Sequence, residues 1–402
     1  MRALVPILIM IAFMLPSDFE FSDKSLYWYL GIIGALPISG FFFFFIKNKV
    51  KFKKSRFLLP SLVFCAAVIL SGLFTPFYAN SVNFMMMAVF VLLYLFIVLV
   101  LFNGIDKLEF HYIARALFTA GLIIATQILI AYIRAGGFAL GLLDKTTTEI
   151  GWGMSNTAAA ALSMCIPAAF LLAAKSKFNI VYIVAAVYFI LGVLFTKSRG
   201  GVLVMALLLP FSIGFMLFQT PKGKRLRAGI TLLMCLVGFI ILLLAFWEDI
   251  GEVVEYIFRR GMEDSGRIDM YKEAFNAFLK HPFFGVGWKY IYGGTGDPYA
   301  IFYTVHSTVF QYIASGGIFL TLSAIWLFGK RYLTFYADYR PYHIFFLLSL
   351  LSHDLYGLID NTATLPYCIM IAGIIFIALE KDIRPEVEAA KKLEYKKERF
   401  YF

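Results

Sequence analysis

The sequence is dominated by long apolar runs, each separated from the next by a short polar stretch. The 402 residues are 61% hydrophobic and only 15% charged, with a mean hydropathy of +0.81. Soluble domains usually have about a quarter of their residues charged and cannot bury this much apolar surface in one core. The composition therefore predicts a protein that crosses a membrane many times.

Twelve of the runs are candidate membrane spans. A helix needs about 20 apolar residues, within a range of about 17 to 25, to cross the hydrocarbon core. The runs lie at residues 2–16, 25–46, 57–78, 83–103, 112–133, 153–174, 179–196, 201–218, 228–247, 307–328, 344–360 and 365–380. We expect an all-α polytopic membrane protein with about twelve transmembrane helices, in which residues 1–402 form a single membrane domain.

The basic residues indicate the orientation of the chain. They concentrate in alternate connections, and short loops rich in Lys and Arg stay in the cytoplasm. With the N-terminus inside, the cytoplasmic segments are Lys47 to Arg56, Lys107, Lys175 with Lys177, Lys222 to Arg227, Lys330 with Arg331, and the basic tail 381–402. Both termini are then cytoplasmic. Residues 248–306 form a long extracytoplasmic loop between spans nine and ten.

Composition and motifs also exclude several classes of function. The net charge of +11 is explained by membrane orientation, so it gives no reason to expect a nucleic-acid partner. The four cysteines lie in apolar runs without a CxxC pair, which argues against a disulfide framework and a thiolate metal site. The sequence has no P-loop, GxSxG, HExxH or DxD motif. We expect neither a cofactor nor a bound metal.

Two cations stand where one apolar run ends and the next begins. Lys197 and Arg199 are followed by Gly200 and Gly201, which allow a ligand to approach the backbone closely. Such an arginine can simply anchor a helix at the lipid surface. On the outward side, however, positive charge is disfavoured, so the pair is placed to bind an anion.

The long loop contains an amphipathic segment at residues 267–280. Ile268, Tyr271, Phe275, Phe278 and Leu279 recur at helical spacing, which predicts a helix lying on the membrane surface. Arg267 is in its first turn, where free amides and the helix dipole favour a phosphate. The alternative is an ion pair between Arg267 and Glu263, Asp264 or Asp269.

The same loop carries further candidates on either side of that helix. Arg259 and Arg260 precede it. A turn rich in glycine and aromatic residues follows it and ends at Trp288, which is either a stacking platform for a sugar or part of a tight return to the membrane.

His306 lies at the outer end of the tenth predicted span. Imidazole is the side chain best able to take a proton from a hydroxyl near neutral pH. A single histidine at a membrane edge is more often structural, but several arginines are expected on the same side. His353, Asp354 and Asp360, in or near the eleventh span, either support this site or pair with one another or with Arg199.

Three segments together resemble the O-antigen ligase and polymerase family. They are residues 194–201, residues 266–275 leading to 281–287, and His306-Ser307 with Gln311 and Gly317. The likeness extends from about residue 150 to 366. Two positions depart from the family pattern: Ser307 stands where an Asn is usual, and Ser315 where an acidic residue is frequent.

The resemblance implies a metal-independent, inverting glycosyltransferase of the membrane-embedded C class in the bacterial cytoplasmic (inner) membrane. Its donor would be a glycan on undecaprenyl diphosphate, and its acceptor another glycan or a lipid A-core. By the same resemblance Arg199 and Arg267 would hold the diphosphate, with Arg259 or Arg260 auxiliary. His306 would be the base, in an active site facing outward.

Other functions remain open at this point. The sequence does not separate a ligase from a polymerase. A flippase or exporter of lipid-linked oligosaccharide would predict inverted repeats and cations through the membrane midplane, and neither is visible. An extracytoplasmic acyltransferase could use the histidine but would not need several arginines.

Overall fold

The protein is seen here in a computed structural model. The structure describes residues 53–75, 81–104, 110–136, 155–176, 179–245, 267–288, 305–337, 340–362, 365 and 368–381. Within these ranges all regular secondary structure is helical. The predicted spans at 2–16 and 25–46 and the tail beyond residue 381 lie outside the described residues.

The described helices correspond in order to the other ten predicted spans, with one additional helix in the long loop. They are α1 (Leu58–Phe74), α2 (Ser81–Leu95, continued by a π-helical segment Phe96–Leu101 and by Phe102–Gly104), α3 (Phe110–Arg134), α4 (Ser155–Lys175), α5 (Asn179–Phe195), α6 (Arg199–Gln219), α7 (Lys222–Ala245), α8 (Arg267–Lys280), α9 (Thr308–Ala337), α10 (His343–Ile359) and α11 (368–381).

Four of these helices are long and apolar enough to cross a membrane: α3, α4, α6 and α9 up to Tyr336. Four shorter apolar helices accompany them, at Leu58–Phe74, Met86–Leu101, Ile180–Phe195 and His343–Ile359. The chain is therefore a multi-pass membrane protein, and the total of twelve spans stays a prediction.

Helix α4 lies at the centre of the bundle. It packs against α3, α5, α6 and α10, and nearly all of its residues are buried. The run Ala158–Ala161 explains this position, because small side chains allow neighbouring backbones to approach closely. On the opposing helix, a Cβ at Gly201 would come within 2.7 Å of the Ala159 Cβ. The start of α6 is thereby held close to the start of α4.

Short connections make successive helices antiparallel, and this brings the candidate residues to one end of the bundle. The chain turns between α4 and α5, between α5 and α6, and between α9 and α10 within a few residues. The starts of α4, α6 and α9 therefore share an end with the termini of α5 and α10. A hydrogen bond from the Tyr132 hydroxyl, near the end of α3, to the Phe195 carbonyl (2.6 Å) adds α3 to this end.

The glycine- and aromatic-rich turn after α8 docks onto a break in α9. Gly317 has φ 61° and ψ −155°, so α9 is interrupted there. Across the break the amides of Val286 and Gly287 donate to the carbonyls of Ala314 and Ser315 at 2.8 and 2.9 Å. A Cβ at Gly317 would lie 2.6 Å from the Phe283 backbone. The glycines of this turn are structural: they allow two backbones to pack directly against each other.

The predicted helix at 267–280 is confirmed with the same bounds. Its inner face packs on α9, where Ala274 is fully buried and Tyr271 stacks on Phe310 with 4.5 Å between ring centroids. A second stripe, formed by Ile268, Phe275 and Leu279, is exposed. The helix is amphipathic, and its exposed apolar stripe is suited to the membrane surface.

The prediction for Arg331 was wrong. It was counted in a cytoplasmic loop, but α9 continues to Ala337 and Arg331 is 3% exposed inside the bundle. Its guanidinium carbon lies 3.8 Å from the centre of the Phe328 ring, and Nη1 lies 3.7 Å from Asp354 Oδ1. The Asp354 carboxylate and an aromatic face replace the water that this charge would otherwise need.

Candidate active site

His306 lies just before α9, and contacts from two directions hold its backbone. The Tyr271 hydroxyl, on α8, donates to the His306 carbonyl at 2.6 Å. Burial raises the pKa of Tyr271 above its ordinary value, so the phenol keeps the proton that it donates. One residue earlier, the Val305 amide donates to Gln311 Oε1 at 2.9 Å. The histidine is therefore carried on an ordered turn.

The imidazole of His306 is paired with Asp360. His306 Nδ1 lies 3.1 Å from Asp360 Oδ1, and the two side chains are 34% and 18% exposed. The other carboxylate oxygen accepts from Asn156 Nδ2 at 2.9 Å, and the Asn361 amide donates to Oδ1 at 2.8 Å. Three donors favour the ionised carboxylate. A carboxylate at Nδ1 keeps the proton on that nitrogen and leaves Nε2 as the acceptor.

Arg267 reaches the same place from the start of α8. Its Nη1 donates to the carbonyl of Ile359, the last residue of α10, at 3.0 Å. Asp360 is the next residue. The guanidinium is partly exposed and stands beside the His306–Asp360 pair.

Arg199 begins α6 beside the end of α10. The preceding Ser198 is the N-cap, and its hydroxyl accepts from the Gly201 amide at 3.3 Å. Ser198 Oγ also lies 2.7 Å from the Tyr356 hydroxyl. A Cβ on Gly200 would come within 2.5 Å of Ile359 Cδ1, so glycine allows the two helix ends to touch.

The turn before α6 has an unusual backbone. Lys197 has φ 53°, a left-handed conformation that non-glycine residues rarely adopt, and it is 3% exposed. The Thr196 hydroxyl donates to the Val193 carbonyl at 2.6 Å, which closes the end of α5. Backbone strain of this kind persists where the surrounding contacts impose it, and it is frequent at functional sites.

The structure brings together His306, Arg267, Asp360 and the turn that bears Lys197 and Arg199. Arg259 and Arg260 lie outside the described residues. Asp360 is paired with His306. Of the alternatives that the sequence left open for these side chains, a pair between His353 and Asp354 is present, at 2.8 Å.

Two supporting candidates lie apart from this group. Asp354 is six residues before Asp360, about 9 Å along a helix, and its partners are Arg331, His353 and Tyr332. Trp288 is 6% exposed, and its ring packs 4.8 Å from Phe90 and 6.0 Å from Tyr312. This environment favours the structural interpretation of Trp288.

Sequence reasoning missed three members of the site. Asn156, Tyr271 and Tyr356 bond to Asp360, His306 and Ser198 respectively. Tyr271 was detectable in part, because it follows Arg267 by one helical turn and so lies on the same face. Nothing in the sequence near Asn156 points to a carboxylate 204 residues away.

The fold and this site define a multi-pass helical membrane protein with a histidine–carboxylate pair among arginines at one end of its bundle. Within the described residues, no group of three or more His, Cys, Asp or Glu side chains is placed to hold a metal ion.

Residues 184–325 match the family model described as O-Antigen ligase. The resemblance inferred from the sequence is confirmed. The matched region contains Arg199, Arg267 and His306, whereas Asn156, Tyr356 and Asp360 lie outside it. No curated protein matches the chain.

Proposed function

We propose that the protein is a metal-independent, inverting glycosyltransferase that moves a glycan from undecaprenyl diphosphate onto an acceptor hydroxyl at the outer face of the bacterial cytoplasmic membrane. The observation that carries the proposal is the pairing of His306 with Asp360 beside Arg267 and the start of the helix that bears Arg199. A base and a group of cations are what this transfer requires.

His306 is the proposed general base. Asp360 holds the proton on Nδ1, so Nε2 can accept the proton of the acceptor hydroxyl. The acceptor oxygen forms a bond to the anomeric carbon while the bond from that carbon to the diphosphate oxygen breaks. The electron pair leaves with undecaprenyl diphosphate, and a single displacement of this kind inverts the anomeric carbon.

Arg199 and Arg267 are the proposed ligands of the leaving diphosphate. Each is the first residue of a helix, where free amides and the helix dipole also favour an anion. A hydrogen bond to a charged group contributes about 1.5–3 kcal/mol, so two arginines can replace much of what a metal ion would supply. Lys197, Arg259 and Arg260 are proposed auxiliaries.

The two departures from the family pattern are compatible with this mechanism. Ser307 is buried, and its carbonyl accepts from the Gln311 amide. Ser315 accepts a hydrogen bond from Gln311 Nε2 at 2.6 Å, and Gln311 in turn holds the Val305 amide. Ser315 thus supports the turn that carries His306 through two hydrogen bonds of the uncharged Gln311 side chain.

The orientation proposed from the loops is supported by the distribution of charge. The end of the bundle opposite the site carries Lys53, Lys54, Arg56, Lys175 and the start of α7 with Lys222, Lys224, Arg225 and Arg227. A cation-rich end stays in the cytoplasm, so the site faces outward. The proposed acceptors remain a second glycan, for a polymerase, or a lipid A-core, for a ligase.

One observation favours the alternative, a flippase or exporter of lipid-linked oligosaccharide. Arg331 is buried in the bundle and is paired with the partly buried Asp354, and ionisable residues at membrane depth frequently mark a transport path. The two charges compensate each other, however, and Arg331 is covered by Phe328 and Phe376. We therefore retain the transferase as the better proposal.

The test uses the purified protein in detergent with an undecaprenyl-diphosphate-linked glycan, an acceptor glycan and EDTA. We expect release of undecaprenyl diphosphate together with a longer glycan. No release with either class of acceptor, combined with movement of the labelled donor across proteoliposomes, would replace the transferase with the exporter. Release that EDTA abolishes would contradict metal independence.

A further inference from the structure

The contact between Ser198 and Tyr356 joins the two halves of the site. Ser198 caps the helix that begins with Arg199, and Tyr356 lies in the last turn of the helix that ends before Asp360. Their hydroxyl oxygens are 2.7 Å apart. Both side chains are buried, Ser198 at 1% and Tyr356 at 2% exposure, so water does not compete for this bond.

Tyr356 also contacts its surroundings in ways that fix its position. Its carbonyl accepts from the Asp360 amide at 2.9 Å, which closes the end of α10. A Cβ at Gly200 would lie 3.5 Å from Tyr356 Cε2, so the phenol ring rests against the backbone beside Arg199. Tyr356 is thus bonded to both halves of the site. Its backbone binds Asp360, which orients His306, and its hydroxyl binds Ser198, which caps the helix that begins with Arg199.

We propose that Tyr356 is a positioning residue, which sets the separation between the Arg199 end of α6 and the His306–Asp360 pair through its hydrogen bond to Ser198. The inference rests on the proposed function, since it assigns Arg199 to the leaving diphosphate and His306 to the acceptor. Both groups must be in place at once, and a misplacement of about 1 Å can cost about 10²-fold in rate.

The hydroxyl is the part of Tyr356 that matters in this role. Tyr356→Phe keeps the ring and its packing and removes only the bond to Ser198. Ser198→Ala removes the same bond together with the N-cap, whereas Ser198→Thr keeps a hydroxyl that can both cap the helix and bond to the tyrosine. The double variant Tyr356→Phe with Ser198→Ala should lose little more activity than Ser198→Ala alone, because Ser198→Ala has already removed the bond.

Tyr132→Phe is the matched control. The Tyr132 hydroxyl is likewise bonded near the same end of the bundle, to the Phe195 carbonyl at 2.6 Å, and the residue is fully buried. It connects α3 to α5, away from the bond between Ser198 and Tyr356 that the proposal concerns. A merely structural loss of one buried tyrosine hydrogen bond should affect the two variants alike.

The experiment measures two quantities for each purified variant: the rate of undecaprenyl diphosphate release and the Kd for undecaprenyl diphosphate. For Tyr356→Phe we expect a rate about 10- to 100-fold lower and a weaker Kd, with Ser198→Thr and Tyr132→Phe close to the wild type. The pH dependence of the residual rate should match that of the wild type, since His306 and Asp360 are intact.

The outcomes separate the two proposals. If the wild type is active and Tyr356→Phe has the same rate and Kd, the positioning role is wrong but the proposed function stands. Losses that multiply in the double variant, or an equal loss in Tyr132→Phe, also overturn it. A wild type that neither binds nor releases undecaprenyl diphosphate overturns the proposed function and, with it, the positioning role.

Discussion

At the scale of single residues, the site depends on how one carboxylate is held. Asp360 accepts hydrogen bonds from His306, from Asn156 and from the Asn361 amide. These contacts come from α4, from the turn before α9 and from the end of α10, and they leave the carboxylate little freedom to rotate. The tautomer of His306 is therefore determined by a partner that is itself fixed.

Replacing Asp360 with asparagine tests that dependence. The amide has nearly the same shape, but it can present an NH₂ group to Nδ1 and so favour the wrong tautomer. We expect the transfer rate to fall by about 10² to 10⁴, the usual contribution of a positioned base, while the Kd for undecaprenyl diphosphate changes little. A rate within about twofold of the wild type would show that the carboxylate has no such role.

Asn156 provides a milder version of the same test. Asn156→Ala removes the donor to Asp360 Oδ2 but leaves the bond to His306 in place. We expect a loss in the transfer rate that is smaller than that of Asp360→Asn. The two changes should not multiply when combined, because they act on one hydrogen-bonded unit. The rates of the two single variants and the double variant check this directly, and fully multiplicative losses would contradict it.

The candidate residues could be predicted from sequence only where chemistry and local position coincide. His306, Arg199 and Arg267 were selected because each lies at the edge of an apolar run or in the first turn of a helix. Asp360 was named as a supporting residue, but its partner was not identified. Hydrophobic periodicity is a local signal, whereas the contacts of Asp360 join segments 54 and 204 residues apart.

At the scale of elements, glycines determine how the loop helix meets α9. Gly285 and Gly317 have φ of 68° and 61°, and a Cβ at either would lie within 2.6 Å of backbone atoms across the contact. We expect Gly285→Ala and Gly317→Ala each to lower the free energy of unfolding by more than about 1 kcal/mol, the minimum for a left-handed residue with a side chain. Thermal unfolding in detergent measures this.

Gly214→Ala is the control for those two changes. Gly214 is exposed on α6 with no atom within 4 Å of a Cβ built there. Alanine should be neutral or stabilise the helix, because glycine costs about 1 kcal/mol in a helix interior. Equal losses in all three variants would mean that the backbone contact at α9 is not what the glycines provide.

The ion pair between buried Arg331 and partly buried Asp354 is a second element-scale feature. Removing one charge with Arg331→Leu leaves this carboxylate without its cation, and we expect a loss in the free energy of unfolding toward the lower end of the range of about 3–5 kcal/mol for fully buried pairs. Replacing both residues, by Arg331→Leu with Asp354→Leu, should cost less than the single change. Denaturation of the two variants gives the comparison, and a double variant that is worse than Arg331→Leu would contradict it.

This pair also shows why one helix was predicted too short. Charge after an apolar run normally marks the end of a span, so the sequence predicts a loop at Lys330 and Arg331. The helix continues because Asp354, on the next helix, compensates the buried cation. The other described helices agree with the predicted runs within several residues; the largest difference at a helix start is in α7, which begins at Lys222 and so includes the basic residues predicted as a connection.

At the scale of the whole molecule, the alternation of helices separates two chemically different ends. The site lies at one end, with the start of α8. The opposite end carries the basic start of α7. At this end Glu380, a buried residue of α11, also accepts hydrogen bonds from Ser55 Oγ at 2.6 Å and from the Arg56 amide at 2.7 Å.

Cysteine labelling tests the orientation of these ends. Lys272 and Lys222 are exposed at the site end and the opposite end respectively. In spheroplasts we expect Lys272→Cys to react with a membrane-impermeant maleimide, and Lys222→Cys to react only after permeabilisation. The unsubstituted chain serves as the control for its own four cysteines, three of which are buried. The reverse pattern of labelling would place the site in the cytoplasm.

The most direct test of the central claim compares two histidine substitutions in the EDTA-containing transfer assay. His306→Ala removes the proposed base. His281→Ala removes an exposed histidine at the end of α8, whose bonds to the described residues of the turn run through its backbone. We expect His306→Ala to lose about 10²- to 10⁴-fold in the release of undecaprenyl diphosphate, and His281→Ala to remain close to the wild type. Equal release by His306→Ala and the wild type would contradict the assignment of His306 as the base.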